Sequence, residues 1–218
     1  TDLYSLAVLL FYMFMMGHPL EGKLEADIRC MDIHAMNRLY GTNPVFVFDP
    51  NNKTNRPVKG YQDNVLIYWD IYPQIVRDLF TKSFTEGLTA PNKRVTEKQW
   101  LDAFANLMTG IITCPGCGAE VFFDESKVAA GVAHTCWNCK RALQYPVSIV
   151  IGKNRVLLKK GAKLLSHSIY GDYDMDTVVG EVVQNPNNPN LWGIKNESKD
   201  NWTYIRADGQ QIPVAVGR

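Results

Sequence analysis

The residues whose types and spacing could do chemistry are four cysteines in two matched pairs, Cys114-Pro115-Gly116-Cys117 and Cys136-Trp137-Asn138-Cys139. Two thiolates presented by one Cys-x-x-Cys turn reach a single ion. A second such turn closes the tetrahedral shell that zinc prefers, with Zn–S at about 2.3 Å. Gly116 and Gly118 suit a turn that folds its amides toward the sulfurs and needs positive φ. Two disulfides are the competing arrangement, but disulfide frameworks belong to small secreted domains without another large core. A redox Cys-x-x-Cys opens a helix after a strand and does not come as two matched pairs. Structural zinc on Cys114, Cys117, Cys136 and Cys139 is the expectation, with His134 as the substitute for one thiolate. A closed four-cysteine shell leaves no open position for substrate, so such an ion holds a fold and does no chemistry.

The elements that must position these thiols change character at the cysteines: helical and apolar before them, strand-rich and turn-rich after. The 218 residues are 46% hydrophobic and 21% charged with net charge +1, ordinary values for a globular protein with room for one large domain or two to three small ones. The first residues, Thr1-Asp2, read as helix caps with nothing before them, as in a piece of something longer. From Asp2 to Met16 the chain is apolar nearly all round, the pattern of a helix covered on every side. As a helix the apolar run from Leu3 would reach only about 21 Å, short of the roughly 30 Å a bilayer core requires. Residues 25–40 and 71–84 have helical spacing, 43–61 read as loop, and Thr96 is placed to N-cap a helix running through Leu107. Gly17-x-x-x-x-Gly22-Lys23 imitates a phosphate-binding loop. It fails because Leu24 stands where Ser or Thr must hold magnesium and because a helix, not a strand, precedes it.

Asp2-Leu3-Tyr4-Ser5-Leu6, the turn Gly17-His18-Pro19-Leu20-Glu21-Gly22, then Leu79-Phe80-Thr81-Lys82-Ser83-Phe84 and Pro91-Asn92-Lys93-Arg94-Val95-Thr96 follow one another in an order that resembles the second half of a protein-kinase catalytic domain of bacterial serine/threonine type. The resemblance covers residues 1–109. It implies that Asp2 is the Asp that hydrogen-bonds the backbone of the catalytic loop. It implies likewise that Arg94 is the Arg that pairs with a Glu at the end of the activation segment. Phosphoryl transfer needs groups that position ATP and magnesium and orient the substrate hydroxyl. The Gly-rich loop, strand Lys, H-R-D loop and D-F-G site that do this in kinases do not occur in this sequence. The resemblance therefore implies a parent kinase that uses ATP and magnesium, of which these residues are a C-terminal piece that phosphorylates nothing alone. No residue here is assigned a catalytic or ATP-binding role, and Arg94 should be unpaired or re-paired.

Residues 111–146 read as a zinc ribbon: Ile111-Ile112 leading into the first knuckle, a strand at Glu120–Phe123, a loop at 124–134 and a returning strand at Leu143–Tyr145. Ribbons have small cores and depend on the ion, so chelation should loosen 111–146 and hardly touch the helices. From Val147 the spacing of strands and turns suggests an all-β sandwich, with strands at 148–151, 155–158, 163–168, 178–183, 191–195 and 202–206. Leu191-Trp192-Gly193-Ile194-Lys195-Asn196 and Asp208-Gly209-Gln210-Gln211-Ile212-Pro213-Val214 resemble a forkhead-associated domain. That family binds phosphothreonine through an Arg after a Gly and a Ser and His in the next loop. Here Glu181 follows Gly180, and a carboxylate there would repel phosphate, so the residues argue against the phosphopeptide binding that the resemblance implies. The run Lys159-Lys160-x-x-Lys163 reads as a solvated hairpin face.

The expected fold class is thus multidomain α plus β: a kinase C-lobe-like helical domain at 1–110, a zinc ribbon at 111–146 and a forkhead-associated-like β-sandwich at 147–218. Basic and acidic side chains nearly balance in each part, and nucleic-acid binding should show a basic footprint, so neither nucleic acid nor membrane is an expected partner. Protein partners or substrates of the parent kinase are. Cys30 unpaired beside metal-type knuckles points to a reducing, cytoplasmic compartment. The rival reading is a non-catalytic, pseudokinase-like scaffold whose ribbon and sandwich are interaction surfaces.

Overall fold

The computed structural model describes every residue except Thr1, Tyr145, Lys153 and Lys160. It is mixed α plus β, with helices first and small antiparallel sheets after them. The chain forms two compact units, Thr1–Phe104 with Ile112–Ala142, and Ala105–Ile111 with Leu143–Arg218. The ribbon segment therefore groups with the helices that precede it.

In the first unit α1 (Asp2–Met15) is the central helix. Ala7, Phe11 and Met15, at helical spacing, are fully buried. The Phe11 ring is met by those of Phe46, Phe80 and Phe84 at centroid distances of 5.8, 5.1 and 5.8 Å, each edge-on. Such edge-to-face pairs set the positive rim of one ring against the negative face of another. The expectation that α1 is covered on every side does not hold. Leu9, Tyr12 and Met13 lie on its other face and are exposed.

The next helical run is broken where the periodicity is continuous. In place of one helix over 25–40 the chain forms α2 (Lys23–Ala26), α3 (Ile33–Met36) and a π turn at Asn37–Thr42. Asp32 restarts the helix by accepting a bond from the Ala35 amide at 2.7 Å. The helix expected over 71–84 is α5 (Gln74–Phe84), begun three residues later, and α4 (Asp63–Ile71) precedes it in a stretch whose sequence pattern gives no helix. Pro73 divides them, because it lacks an N–H and drives Tyr72 into an extended conformation. A short α6 (Glu86–Thr89) leads to α7 (Glu97–Thr109). As expected, Thr96 opens α7 in a reciprocal cap, its amide donating to Gln99 Oε1 at 3.0 Å while its hydroxyl accepts from the Gln99 amide at 3.4 Å.

The loop over 43–61 is pinned by a buried amide. Asn55 Nδ2 donates to the carbonyls of Leu20 and Val45, and its Oδ1 accepts from the Leu24 amide. Gly22 lies so close that a Cβ would fall 2.0 Å from the Asn55 carbonyl oxygen. Gly22 thus serves backbone approach at a helix start and has no phosphate-loop geometry.

The ribbon contributes β1 (Ile111–Thr113), β2 (Glu120–Phe122) and α8 (Glu125–Ala129). Part of the expected 124–134 loop is therefore helical, because Asp124 caps it from the Ser126 amide at 3.1 Å. The expected returning strand is reduced to an isolated pairing of Thr135 with Ala142, and Tyr145 lies outside the described residues.

The second unit holds the hairpin β3 (Ser148–Ile151) and β4 (Asn154–Leu157), a three-stranded sheet of β5 (Lys163–Leu165), β6 (Val178–Gln184) and β7 (Trp192–Asn196), and the hairpin β8 (Trp202–Ile205) and β9 (Gln211–Val214), all antiparallel. Val156, Leu164 and Val182 form its core, with Ile149, Ile151, Trp192 and Ile194 packed on them. The strand expected over 163–168 ends at Leu165. Ser166 and His167 turn into α9 (Ser166–Tyr170), where the Ser166 hydroxyl donates to Asp172 Oδ2 at 2.6 Å and Gly171 closes the helix in the left-handed region. None of the described helices is long and apolar enough to cross a membrane.

Candidate metal centre

The two knuckles are built alike from the backbone upward. In the first, the Cys114 amide donates to the Ala119 carbonyl at 2.8 Å and the Gly118 amide returns to the Cys114 carbonyl at 2.9 Å. In the second, the Cys136 amide donates to the Arg141 carbonyl at 2.9 Å and the Lys140 amide returns to the Cys136 carbonyl at 2.9 Å. Each turn closes on a left-handed residue, Gly118 at φ 75° and Lys140 at φ 61°. Glycine reaches that region without strain, whereas lysine does so at a cost that the surrounding turn must offset. Gly116 does not have the positive φ expected of it. It is small because a Cβ there would sit 2.9 Å from Arg141 Nε, the side chain by which the second knuckle crosses the first.

These turns bring four sulfurs together. The Sγ atoms of Cys114, Cys117, Cys136 and Cys139 all lie within 4.8 Å of one another, and the four could hold a metal ion. Cys114 and Cys139 approach to 3.6 Å, as do Cys117 and Cys136. A tetrahedron with 2.3 Å bonds has edges of about 3.8 Å, so the spacing and the all-thiolate donor set fit zinc. His134, the candidate substitute ligand, is not in this cluster. It is buried, and burial holds its pKa below the usual value, with Lys127 acting in the same direction.

The electrostatics of the sulfurs favour anions in part. The Gly116 amide donates to Cys114 Sγ at 3.4 Å and holds that thiol at about 6. The Ala119 amide lowers Cys117 in the same way. At Cys139 the Arg141 amide pulls down, but Cys117 and the other sulfurs push the thiol up to about 11, since crowded sulfurs resist sharing charge. A divalent cation at the centre reverses that resistance, because a coordinating thiol is deprotonated outright.

The ribbon is attached to the helices by Asp124, a residue that the cysteine spacing does not single out. Its carboxylate is buried, accepts from the Gln74 amide at 3.2 Å and lies 3.6 Å from Arg77 Nη2. Phe122 stacks on Tyr72 at 5.3 Å. An acidic side chain directly after an apolar strand and before Glu125-Ser126 is a helix-cap pattern, and that was the available signal. No protein family, curated protein or solved structure matches this chain.

The two residues singled out by the kinase resemblance lie away from the thiols. Asp2 opens α1 and is exposed. Arg94 is half-buried: its Nε donates to the Gly87 carbonyl at 3.0 Å and its guanidinium lies 5.5 Å over the Tyr4 ring in the first turn of α1. In the second unit, Glu181 stands opposite Lys163 on one side and Lys195 on the other. Gly180 is required for packing, because a Cβ would meet the Trp202 ring at 2.8 Å.

Proposed function

We propose that the ribbon is a structural zinc site in a signalling protein, and that residues 1–109 are the second half of a protein-serine/threonine kinase catalytic domain. The observation that carries the zinc assignment is the four-sulfur cluster with 3.6 Å edges on two matching knuckles. All four sulfurs are spent on the ion, so it shapes the ribbon and offers no site for chemistry. The kinase reading is supported by the ordered motifs and by the contact of Arg94 with the first turn of the helix that Asp2 opens. In this reading the whole protein transfers the γ-phosphate of ATP with magnesium, and residues 1–109 supply scaffold without ATP-binding or catalytic groups. The β unit is read as a forkhead-associated-like module that recognises protein partners. Its Glu181, flanked by lysines across the sheet, argues against a phosphate pocket there.

Metal analysis of the purified chain tests the first part, with one zinc per chain expected and none overturning it. Sequence of the encoding gene on the 5′ side of the Thr1 codon tests the second. H-R-D and D-F-G motifs are expected, and a gene that lacks both reduces the protein to a non-catalytic scaffold.

A further inference from the structure

We propose that the metal centre is coupled to the helices through Asp124, so that an ion bound by the ribbon also fixes the start of α5. The inference rests on the zinc reading above. The first turn of any helix leaves N–H groups without intrahelical partners and carries the positive end of the helix dipole. Helix α5 has no side-chain cap of its own: Pro73 occupies the cap position, and the Gln74 side chain is turned away to Asp78 at 2.6 Å. The ribbon supplies the missing anion. Asp124 Oδ2 accepts from the Gln74 amide and faces Arg77, while Oδ1 accepts from the amide and hydroxyl of Ser126 at 3.1 and 2.6 Å. One buried carboxylate thus caps α5 in the helical region and α8 in the ribbon.

The knuckles hold Asp124 in place. Two residues before it, β2 ends, and the register of β2 is set by the Cys114 amide bond to Ala119. The second knuckle reaches the same strand through Trp137 Nε1, which donates to the Glu120 carbonyl at 2.8 Å. Beyond β2 a line of rings runs inward. Phe122 stacks on Tyr72, Tyr72 meets Phe14 edge-on at 5.2 Å, and Phe14 stacks on Phe104 at 4.9 Å. A ribbon with so small a core depends on its ion for structure. Loss of the ion frees β2, and with it the carboxylate that Arg77 and the α5 amide share. Arg77 then keeps only the exposed Asp70 at 4.0 Å, and a buried charge deprived of its buried partner is unfavourable, so the start of α5 loosens as well. Linkage makes the coupling reciprocal: whatever displaces Asp124 weakens the hold on the ion by the same factor.

The test uses the full chain loaded with zinc. Hydrogen exchange is followed by mass spectrometry before and after removal of the metal with EDTA. Amides of residues 74–84 are expected to exchange about tenfold faster after removal, together with those of 112–142, while α1 changes little. In parallel, Asp124→Ala and Arg77→Met are expected to bind zinc about tenfold more weakly than the unaltered chain in equilibrium competition with a chromophoric chelator. Lys23→Ala, in an exposed pair with Asp27, should bind it as the unaltered chain does. Should Asp124→Ala fail to fold, the exchange experiment on the unaltered chain decides. Zinc that binds and leaves without changing exchange in 74–84 overturns the coupling and leaves the zinc site standing. A chain that takes up no zinc overturns the zinc reading itself.

Discussion

Asn196, at the end of β7, offers the sharpest test of how the β unit is held. Its side chain is fully buried and saturated. Nδ2 donates to the carbonyls of Asp200 at 2.7 Å and Val214 at 3.2 Å, and Oδ1 accepts from the amide and hydroxyl of Ser198 at 2.9 and 2.7 Å. One amide therefore ties β7 to the 198–200 turn and to β9. Asn196→Ala removes these bonds. The Ser198 hydroxyl can still reach the Asp200 carbonyl at 3.1 Å, which leaves three bonds lost outright. At about 1 kcal/mol each, with about 1 kcal/mol more for the stranded Ser198 amide, the cost is about 4 kcal/mol.

Asn196→Asp separates this account from simple loss of volume. Aspartate keeps the shape and can still accept from Ser198, but it cannot donate to either carbonyl when ionised. Its carboxylate is buried against two carbonyl oxygens, which raises its folded-state pKa above the unfolded value of about 3.9. A raised pKa means the folded variant binds a proton that the unfolded chain has released. Its stability is therefore lost as pH rises above about 4 and regained as pH falls toward it. At pH 7 Asn196→Asp should be less stable than Asn196→Ala, and at pH 5 the gap should narrow. Urea unfolding at both pH values, with hydrogen exchange of residues 192–214 to report on the β unit, measures this. A cost below 1 kcal/mol for Asn196→Ala, or an Asn196→Asp variant as stable as the unaltered chain at pH 7, refutes the reasoning.

Two further outcomes are expected in the helical unit. Arg94→Ala removes a charged hydrogen bond to Gly87 and a cation–π contact on Tyr4, worth together about 2 kcal/mol at a half-buried position; an unchanged urea midpoint would show that Arg94 is merely solvated. Burial holds the pKa of His18 below its ordinary value, partly opposed by Glu21, and its Nδ1 accepts from the Leu20 amide. Because the folded pKa is lowered, the unfolded chain takes up the proton first as pH drops below about 6.5, so stability present at neutral pH is lost on acidification. His18→Asn should flatten the dependence of stability on pH between 7.5 and 5.5, and an equally steep dependence in that variant would place its origin elsewhere.

What the sequence made legible was whatever rests on residues close together in the chain. The knuckles follow from two Cys-x-x-Cys pairs, the α7 cap from Thr96 with Gln99, and the β3–β4 turn from Gly152 between two apolar runs. Periodicity misled where a local breaker competed with it. Pro73 delayed to Gln74 the helix whose apolar spacing runs across 71–84, Asp32 restarted a helix inside a run read as continuous, and Asp124 began one inside a stretch read as loop. Ser166 and His167 ended β5 because their polar side chains engage Asp172 in the following loop, a partner that strand alternation does not reveal. Apolar composition also overstated the burial of α1. A hydrophobic stripe shows which face a helix can bury, while burial itself depends on what packs there, and Leu9 and Met13 remain exposed.

The contacts that support the metal centre were hidden for a different reason. Cysteine announces itself because few other side chains do its work, whereas the residues that aim the cysteines are common ones in uncommon places. Lys140 takes the left-handed conformation that Gly118 takes in the twin knuckle, yet nothing in Cys139-Lys140-Arg141 marks it. Gly116 suggests backbone freedom, but its function is to admit the Arg141 side chain. Asp124 has the look of a surface acid in a loop, and only its partners fifty residues earlier, the Gln74 amide and Arg77, make it a buried cap for α5. The thiols alone suggest an autonomous clasp whose loss would spare the helices. A buried carboxylate shared between ribbon and helix argues the opposite, because its release leaves the Gln74 amide uncapped and Arg77 with only the exposed Asp70 as counter-charge.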